Sequence, residues 1–206
     1  MSPIQKRTMT PISSSDVIPL NHTFYIPIGK YLIEAKDTIS GKYTIKDGTL
    51  CIGDWAFDYC FSLTSVEIPE SVTSIGWYAF VHCTSLTSVV IGDSVTSIGN
   101  YAFKECDSLI SVIIPDSVKS IGVEAFSCCD LLTSVVIGNS VTSIGKWAFY
   151  YCYSLTTVYY NGTAEEWKKI SIKSGNDDLT DATIYYYSET KQSGCWRYVD
   201  GVPTSW

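Results

Sequence analysis

The sequence lacks the features that define several classes of protein. Its apolar runs fall short of the roughly 20 residues of a membrane-spanning helix, so we expect no membrane insertion. Its 14 Lys and Arg residues stand against 21 Asp and Glu, a formal net charge of −7, which argues against nucleic acid as a partner. It has only two histidines, with no metal-ligand spacing to the cysteines, so we expect no metal or other cofactor. The first 22 residues lack the apolar stretch of a secretory signal, which leaves a cytoplasmic location open.

The overall amino-acid composition indicates an ordered chain with a sizeable core. Of 206 residues, 46% are hydrophobic and 17% are charged, enough for one compact domain or one elongated solenoid. Eight cysteines are fewer than a disulfide scaffold of this length would carry, so their positions must decide what they do.

An internal repeat of 23 residues runs through the middle of the chain. A full unit reads LTSVVIGDSVTSIGNYAFKECDS, and one glycine, alanine, phenylalanine, cysteine and leucine recur in each of five copies. The five columns are Gly53, Gly76, Gly99, Gly122 and Gly145; Ala56, Ala79, Ala102, Ala125 and Ala148; Phe57, Phe80, Phe103, Phe126 and Phe149; Cys60, Cys83, Cys106, Cys129 and Cys152; Leu63, Leu86, Leu109, Leu132 and Leu155. A period in the twenties with Leu-x-x-Val-x-Ile is typical of a leucine-rich-repeat solenoid.

Each unit predicts one coil of that solenoid. In SLTSVEIP the alternation predicts a strand with Leu63, Val66 and Ile68 inward and with Ser65 and Glu67 outward. ESVTSIG predicts a turn and a second short strand, and WYAFVHC has room for one short helical turn. The predicted fold is therefore a right-handed, β-rich repeat solenoid of the leucine-rich-repeat type, with short strands, short helical turns and a cap at both ends.

The repeat resembles one family in particular. IPESVTSIGWYAFVHCTSLTSV is similar to the BspA-like leucine-rich repeat, whose unit runs Ile-Pro-x-x-Val-x-x-Ile-Gly-x-x-Ala-Phe-x-x-Cys-x-x-Leu, over about residues 50–160. The C-terminal tail also resembles the segment that often follows such arrays. The resemblance implies a secreted or cell-surface protein that acts as an adhesin or ligand-binding module, with no catalytic residues in the repeats.

We divide the chain into four parts on these patterns. They are a flexible N-terminal segment (1–22), an N-terminal cap (23–50), an array of about five 23-residue coils (51–160) and a C-terminal cap with a short helix and strands (161–206).

The C-terminal cap has recognisable local signals. Thr163 followed by Glu166 fits a capping box, which predicts a short helix in AEEWKKI, with Trp167 and Ile170 covering the last coil. ATIYYYS is predicted to be a strand, and WRYVDGVPTSW a hairpin that turns at Asp200–Gly201.

The pair His82–Cys83 could be read as a thiol nucleophile beside its base. The equivalents of His82 in the other coils vary, so that column is expected to face solvent, whereas Cys83 belongs to a core column. Neighbours that face opposite ways cannot form a nucleophile–base pair, so we expect no enzyme activity here. The cysteine column is expected to pack as buried thiols, because equivalent Cβ atoms about 4.8 Å apart exceed the roughly 3.5–4.5 Å of a disulfide.

Acidic side chains form a column at the turn that follows the main strand. Glu70, Asp93 and Asp116, with Asn139, could share a hard cation such as Ca²⁺. Bonds to nearby backbone are the more common use of such residues in turns, and we favour that interpretation.

Two surfaces are candidate binding sites. The outward residues of the main strands form a strand face, apolar from Val90 onward, which is either an interaction stripe or a set of good strand formers. Its candidate residues are Ser65, Glu67, Val90, Ile113, Val136 and Tyr159. An aromatic column, interrupted by Glu124, either contacts a partner or packs between coils. Its members are Trp55, Tyr78, Tyr101 and Trp147.

The resemblance implies, and the two candidate surfaces support, a monomeric, non-catalytic, adhesin-like module that recognises a protein or a glycan. The alternative is an intracellular scaffold for protein–protein interaction.

Overall fold

The computed structural model describes the backbone of Pro19–Leu20, Thr23–Ile26 and Tyr31–Ala35, and residues 39–206 with their side chains. Of the predicted flexible segment 1–22, only Pro19–Leu20 are described, as a strand, and its other residues lie outside the described part.

The described residues form two nine-stranded sheets that face each other across the core. The short-strand sheet contains β1 (Pro19–Leu20), β2 (Thr23–Ile26), β3 (Tyr31–Ala35), β5 (Cys51–Ile52), β7 (Ser74–Ile75), β9 (Ser97–Ile98), β11 (Ser120–Ile121), β13 (Ser143–Ile144) and β15 (Ser171–Ile172). The long-strand sheet contains β4 (Ser40–Thr44), β6 (Ser62–Ile68), β8 (Ser88–Ile91), β10 (Ser111–Ile114), β12 (Ser134–Ile137), β14 (Thr157–Tyr160), β16 (Thr183–Tyr187), β17 (Cys195–Val199) and β18 (Val202–Ser205). The helices are α1 (Ala164–Trp167) and α2 (Asp177–Asp181).

The register of the strands follows the sequence repeat. In the long-strand sheet β10 pairs with β12 in parallel, so that Val112 lies opposite Val135. In the short-strand sheet Ser120 lies opposite Ser143 in the same way. Each step from β6 to β14 in one sheet, and from β5 to β13 in the other, is thus one 23-residue unit. The predicted solenoid of the leucine-rich-repeat type is confirmed.

The core is a stack of identical side chains. The rings of Phe57, Phe80, Phe103, Phe126 and Phe149 are fully buried, and successive centroids lie 4.6, 5.0, 5.2 and 5.3 Å apart. Each such pair adds about 0.5–1.5 kcal/mol beyond the burial of its area. The repeat therefore stabilises neighbouring coils through one continuous ladder.

The segment predicted as a helical turn is instead a series of hydrogen-bonded turns with two left-handed residues per coil. The two columns with positive φ are Trp55, Tyr78, Tyr101, Glu124 and Trp147, and Tyr59, His82, Glu105, Cys128 and Tyr151. This conformation costs an L-residue roughly 1–2 kcal/mol, so the surroundings must impose it. Bonds to the next coil do so: Trp55 N donates to Trp77 O (2.9 Å), and Phe57 N donates to Ala79 O (2.7 Å).

The C-terminal segment ends the array as its local signals predicted. The capping box of α1 is present: Thr163 Oγ1 accepts from Glu166 N, and the Glu166 carboxylate accepts from Thr163 N. Trp167 and Ile170 join the core cluster. Strands β17 and β18 form the antiparallel hairpin predicted around Asp200–Gly201.

The amides that would meet a further coil are bonded by this segment instead. Trp147 N donates to Ser174 O (3.0 Å), and Phe149 N donates to Asn176 Oδ1 (3.0 Å). Asp178 Oδ2 also accepts from Cys152 N (3.1 Å), although the equivalent amide of Cys83 bonds to Phe80 O within its own coil. Neither of the helices in the described part of the chain is long and apolar enough to cross a membrane.

Candidate binding surfaces

The aromatic column forms a stack in its first three members. Trp55 lies 3.9 Å from Tyr78, and Tyr78 lies 4.4 Å from Tyr101, with ring planes within 5° of parallel. Trp55 is 50% exposed at the open end of the stack. The left-handed backbone described above recurs at this position in every coil, so the rings stack with the coil repeat.

Trp147 does not belong to this stack. Glu124 occupies the position between Tyr101 and Trp147, and its carboxylate accepts a bond from Lys104 Nζ (2.8 Å). Trp147 packs instead against Gly175, and Lys146 Nζ lies 3.7 Å from its ring centroid. The structure therefore brings together three of the four aromatic candidates.

The strand face is shorter than the sequence predicted. Val90 and Ile113 are 57% and 42% exposed, as expected, but Val136 is only 5% exposed, so the prediction of an outward-exposed Val136 is wrong. The hairpin of β17 and β18 is the reason, because its Tyr198 lines a small cavity of about 160 Å³ together with Ile113 and Val136.

The same hairpin covers Tyr159. The ring of Trp196 lies 5.3 Å from that of Tyr159, and its Nε1 donates to Tyr160 O (2.8 Å). Sequence reasoning missed this contact, since residues 195–205 lie outside the repeat.

The polar candidates of the strand face already have partners. Glu67 forms an ion pair with Lys42 and accepts a bond from Thr44 Oγ1 (2.8 Å). The Lys42 and Thr44 bonds hold the pKa of Glu67 below its ordinary value. Ser65 Oγ accepts from Ser88 Oγ (2.9 Å). The exposed and unpartnered part of this face is therefore the apolar pair Val90 and Ile113.

The acidic column bonds to the backbone of the following coil. Glu70 Oε2 accepts from Asp93 N (2.7 Å), and Asp116 Oδ1 accepts from Asn139 N (2.9 Å). Within the described residues, no three His, Cys, Asp or Glu side chains are grouped to hold a metal ion.

A groove of about 640 Å³ runs along the outer surface of the short-strand sheet, and sequence reasoning missed it. Its floor consists of the serine and glycine of each TSIG segment, from Ser74 and Gly76 to Ser143 and Gly145. Asp54 and Trp77 line one end, and Lys146 and Lys173 line the other. The signal that could have revealed this groove is the repeated TSIG, which places a small outward residue on each side of a buried isoleucine.

The family of the chain follows from comparison with known proteins. The family model for the BspA type leucine-rich repeat region matches residues 43–177 in six copies. The chain belongs to the BspA-type leucine-rich-repeat family. Comparison of this BspA-type chain with curated proteins finds no match.

Solved structures of bacterial repeat proteins share the fold. A leucine rich cell surface protein from Faecalibacterium prausnitzii A2-165 is 32% identical, with a TM-score of 0.73 over 79% of this chain. The T. pallidum leucine-rich-repeat protein is 29% identical, with a TM-score of 0.61, over 73% of this chain and 71% of its own. The pneumococcal vaccine antigen PcpA, at 22% identity and a TM-score of 0.69, shows the fold alone; the match spans 81% of this chain. This BspA-type chain spans only 44% of the F. prausnitzii protein and 41% of PcpA.

Repeats of the BspA type are typically non-catalytic, and the geometry at His82 and Cys83 agrees. His82 stacks on Tyr59 at the surface, 3.5 Å from Asp58 and 3.1 Å from Glu105. The Cys83 thiol points into the core, where it donates to Phe57 O (3.2 Å). Burial raises the pKa of the Cys83 thiol well above its ordinary value, which disfavours the thiolate that a nucleophile requires.

Proposed function

We propose that this chain is a non-catalytic, adhesin-like binding module that acts as a monomer at the cell surface or after secretion, and that recognises a protein or a glycan. The observation that carries the proposal is the stack of Trp55, Tyr78 and Tyr101, whose open end is half exposed. Preordered aromatic rings lose little conformational entropy on binding, and such rings are frequent hot spots. The F. prausnitzii neighbour is described as a cell surface protein, which supports the location.

The test combines a screen with matched variants. The protein is applied to a glycan array and to a panel of purified extracellular proteins, and the dissociation constant of each hit is measured. Because hot-spot rings contribute at least about 2 kcal/mol, Trp55→Ala should weaken a true ligand by about 30-fold. Tyr153→Ala is the control, since Tyr153 is exposed but lies outside the stack. A ligand that tolerates Trp55→Ala and is lost with Ile113→Asp would move the function to the strand face and refute this proposal.

An intracellular scaffold is the second candidate, and the cysteines favour it. Cys51, Cys128 and Cys195 are free thiols, and all three are partly exposed. Free, accessible thiols fit a reducing compartment. Cell fractionation of the native organism, followed by thiol labelling without reductant, distinguishes the two. Intracellular protein with all thiols labelled after unfolding would support the scaffold.

A further inference from the structure

We propose that the groove on the short-strand sheet binds a linear oligosaccharide that carries a carboxylate, laid along the axis of the array. This site is separate from the aromatic stack and goes beyond the function proposed above. Four features of the groove support it: its hydroxyls, its floor, its exposed tryptophan and its lysines.

The hydroxyls of the groove are free to bond a ligand. Ser74, Ser97, Ser120 and Ser143 recur once per coil, about 4.8 Å apart, which is the strand spacing. None of the four hydroxyls has a hydrogen-bond partner among the residues described. The threonines one position earlier differ, since Thr96 Oγ1 donates to the Thr73 carbonyl (3.0 Å). A serine hydroxyl both donates and accepts, as sugar hydroxyls do.

The floor of the groove favours a sugar over a peptide. A Cβ at Gly122 would lie 2.5 Å from the backbone of the preceding coil, so the coils touch there and the floor stays bare. Backbone groups along the floor are used between coils, as where Gly99 N donates to Ile75 O (2.9 Å). A peptide that adds as a strand needs a free backbone edge, and this surface lacks one in the described coils. The hydroxyls therefore supply the recognition.

The two ends of the groove differ in chemistry. Trp77 is 57% exposed at one end and presents an apolar ring to a sugar face. Lys146 and Lys173 line the other end, where Lys146 Nζ lies 3.7 Å from the Trp147 ring centroid. Neither lysine forms an ion pair with a carboxylate in the described part of the chain. Trp77 and Lys146 hold equivalent positions three coils apart, about 14 Å, which suits an oligosaccharide of three or four units. A carboxylate is thus expected at the lysine end, although the whole chain carries a net charge of −7.

The probe is a tetrasaccharide of galacturonic acid, with its methyl ester as the uncharged match, titrated by calorimetry and by tryptophan fluorescence. We expect saturable binding of the acid and binding of the ester at least tenfold weaker. The double variant Lys146→Gln with Lys173→Gln should bind the acid as weakly as the unchanged protein binds the ester. Ser97→Val with Ser120→Val should weaken both ligands at least tenfold, and valine keeps the strand propensity of these positions.

The controls separate a built site from general charge attraction. Lys168→Gln with Lys169→Gln removes two exposed lysines outside the groove, and Ser88→Val removes a hydroxyl on the opposite sheet. Both should leave binding unchanged, as should Trp55→Ala, so the proposal can hold even if the aromatic stack binds nothing. The proposal is overturned if the acid shows no saturable binding. It is also overturned if the control lysine variant loses as much affinity as the groove lysine variant, or if a tetraglutamate peptide binds as tightly as the acid.

Discussion

The cap on the last coil depends on one buried amide, and its removal gives the sharpest test of the fold. Asn176 is 3% exposed, and its side chain makes three hydrogen bonds. Its Nδ2 donates to the carbonyls of Gly145 (2.9 Å) and Lys173 (2.7 Å), and its Oδ1 accepts from Phe149 N (3.0 Å). The variant Asn176→Ala removes all three bonds without adding volume.

The expected loss follows from the groups left behind. The buried Phe149 amide would have no acceptor, which costs about 1–3 kcal/mol. The carbonyl of Gly145 would lose a donor at a cost of about 1 kcal/mol, while water can replace the bond at the exposed Lys173. We expect the free energy of unfolding to fall by about 2–4 kcal/mol, a large fraction of the 5–15 kcal/mol typical of a folded domain.

Urea unfolding followed by circular dichroism measures this change, and hydrogen exchange locates it. The amide of Phe149 should exchange faster in the variant, while amides of the middle coils should change less. Asn139→Ala is the matched control, because Asn139 is exposed and its loss should shift stability by no more than about 0.5 kcal/mol. If Asn176→Ala costs less than about 0.5 kcal/mol and leaves exchange in the last coil unchanged, the capping argument is wrong.

Three further predictions concern the core and the hairpin. Phe103→Ala removes a fully buried ring that lies between two others. In urea titrations it should lower the free energy of unfolding by about 3–5 kcal/mol. A loss under about 1 kcal/mol would contradict the stabilising role of the phenylalanine ladder. Burial raises the pKa of the Cys106 and Cys129 thiols in the folded state. The contribution of these two thiols to stability should therefore be constant below the unfolded thiol pKa of about 8.5 and fall above it, by about 1.4 kcal/mol per pH unit for each thiol. Urea titrations between pH 8 and 10 measure this slope, and a double alanine variant with an equally steep slope would refute the assignment. Trp196→Ala should release the hairpin, so that a hydrophobic dye binds more strongly at the strand face. If the Val136 amide keeps its protection in hydrogen exchange, the hairpin is held by other contacts.

The features predictable from sequence are those that repeat or that are local. Because coils stack in register, an inward residue in one coil is inward in all, and the columns of Phe57 and Cys60 are buried throughout. The capping box at Thr163 and the turn at Asp200–Gly201 depend on neighbours within four residues, so they could be read directly.

The features that escaped prediction depend on distant contacts or on backbone geometry. Val136 is covered by a hairpin some 60 residues later in the chain, and no periodicity links the two. Left-handed backbone at Trp55 or Tyr78 runs against the preference of bulky residues and follows from inter-coil bonds alone. The groove exists because its floor consists of serine and glycine, which carry small side chains or none. Whether the serine hydroxyls have hydrogen-bond partners could be judged only from atomic positions.

The bonds that close the C-terminal end have a consequence for the copy number of the coils. Asn176 and Asp178 bond the backbone amides of Phe149 and Cys152, not their side chains. Phe126 and Phe103 offer the amide equivalent to that of Phe149 one coil and two coils earlier. The same terminal segment could therefore close an array that had gained or lost whole units. The near-identical SVVIGDSVTSIG and SVVIGNSVTSIG, 46 residues apart, are what such an exchange of parts would leave in the sequence.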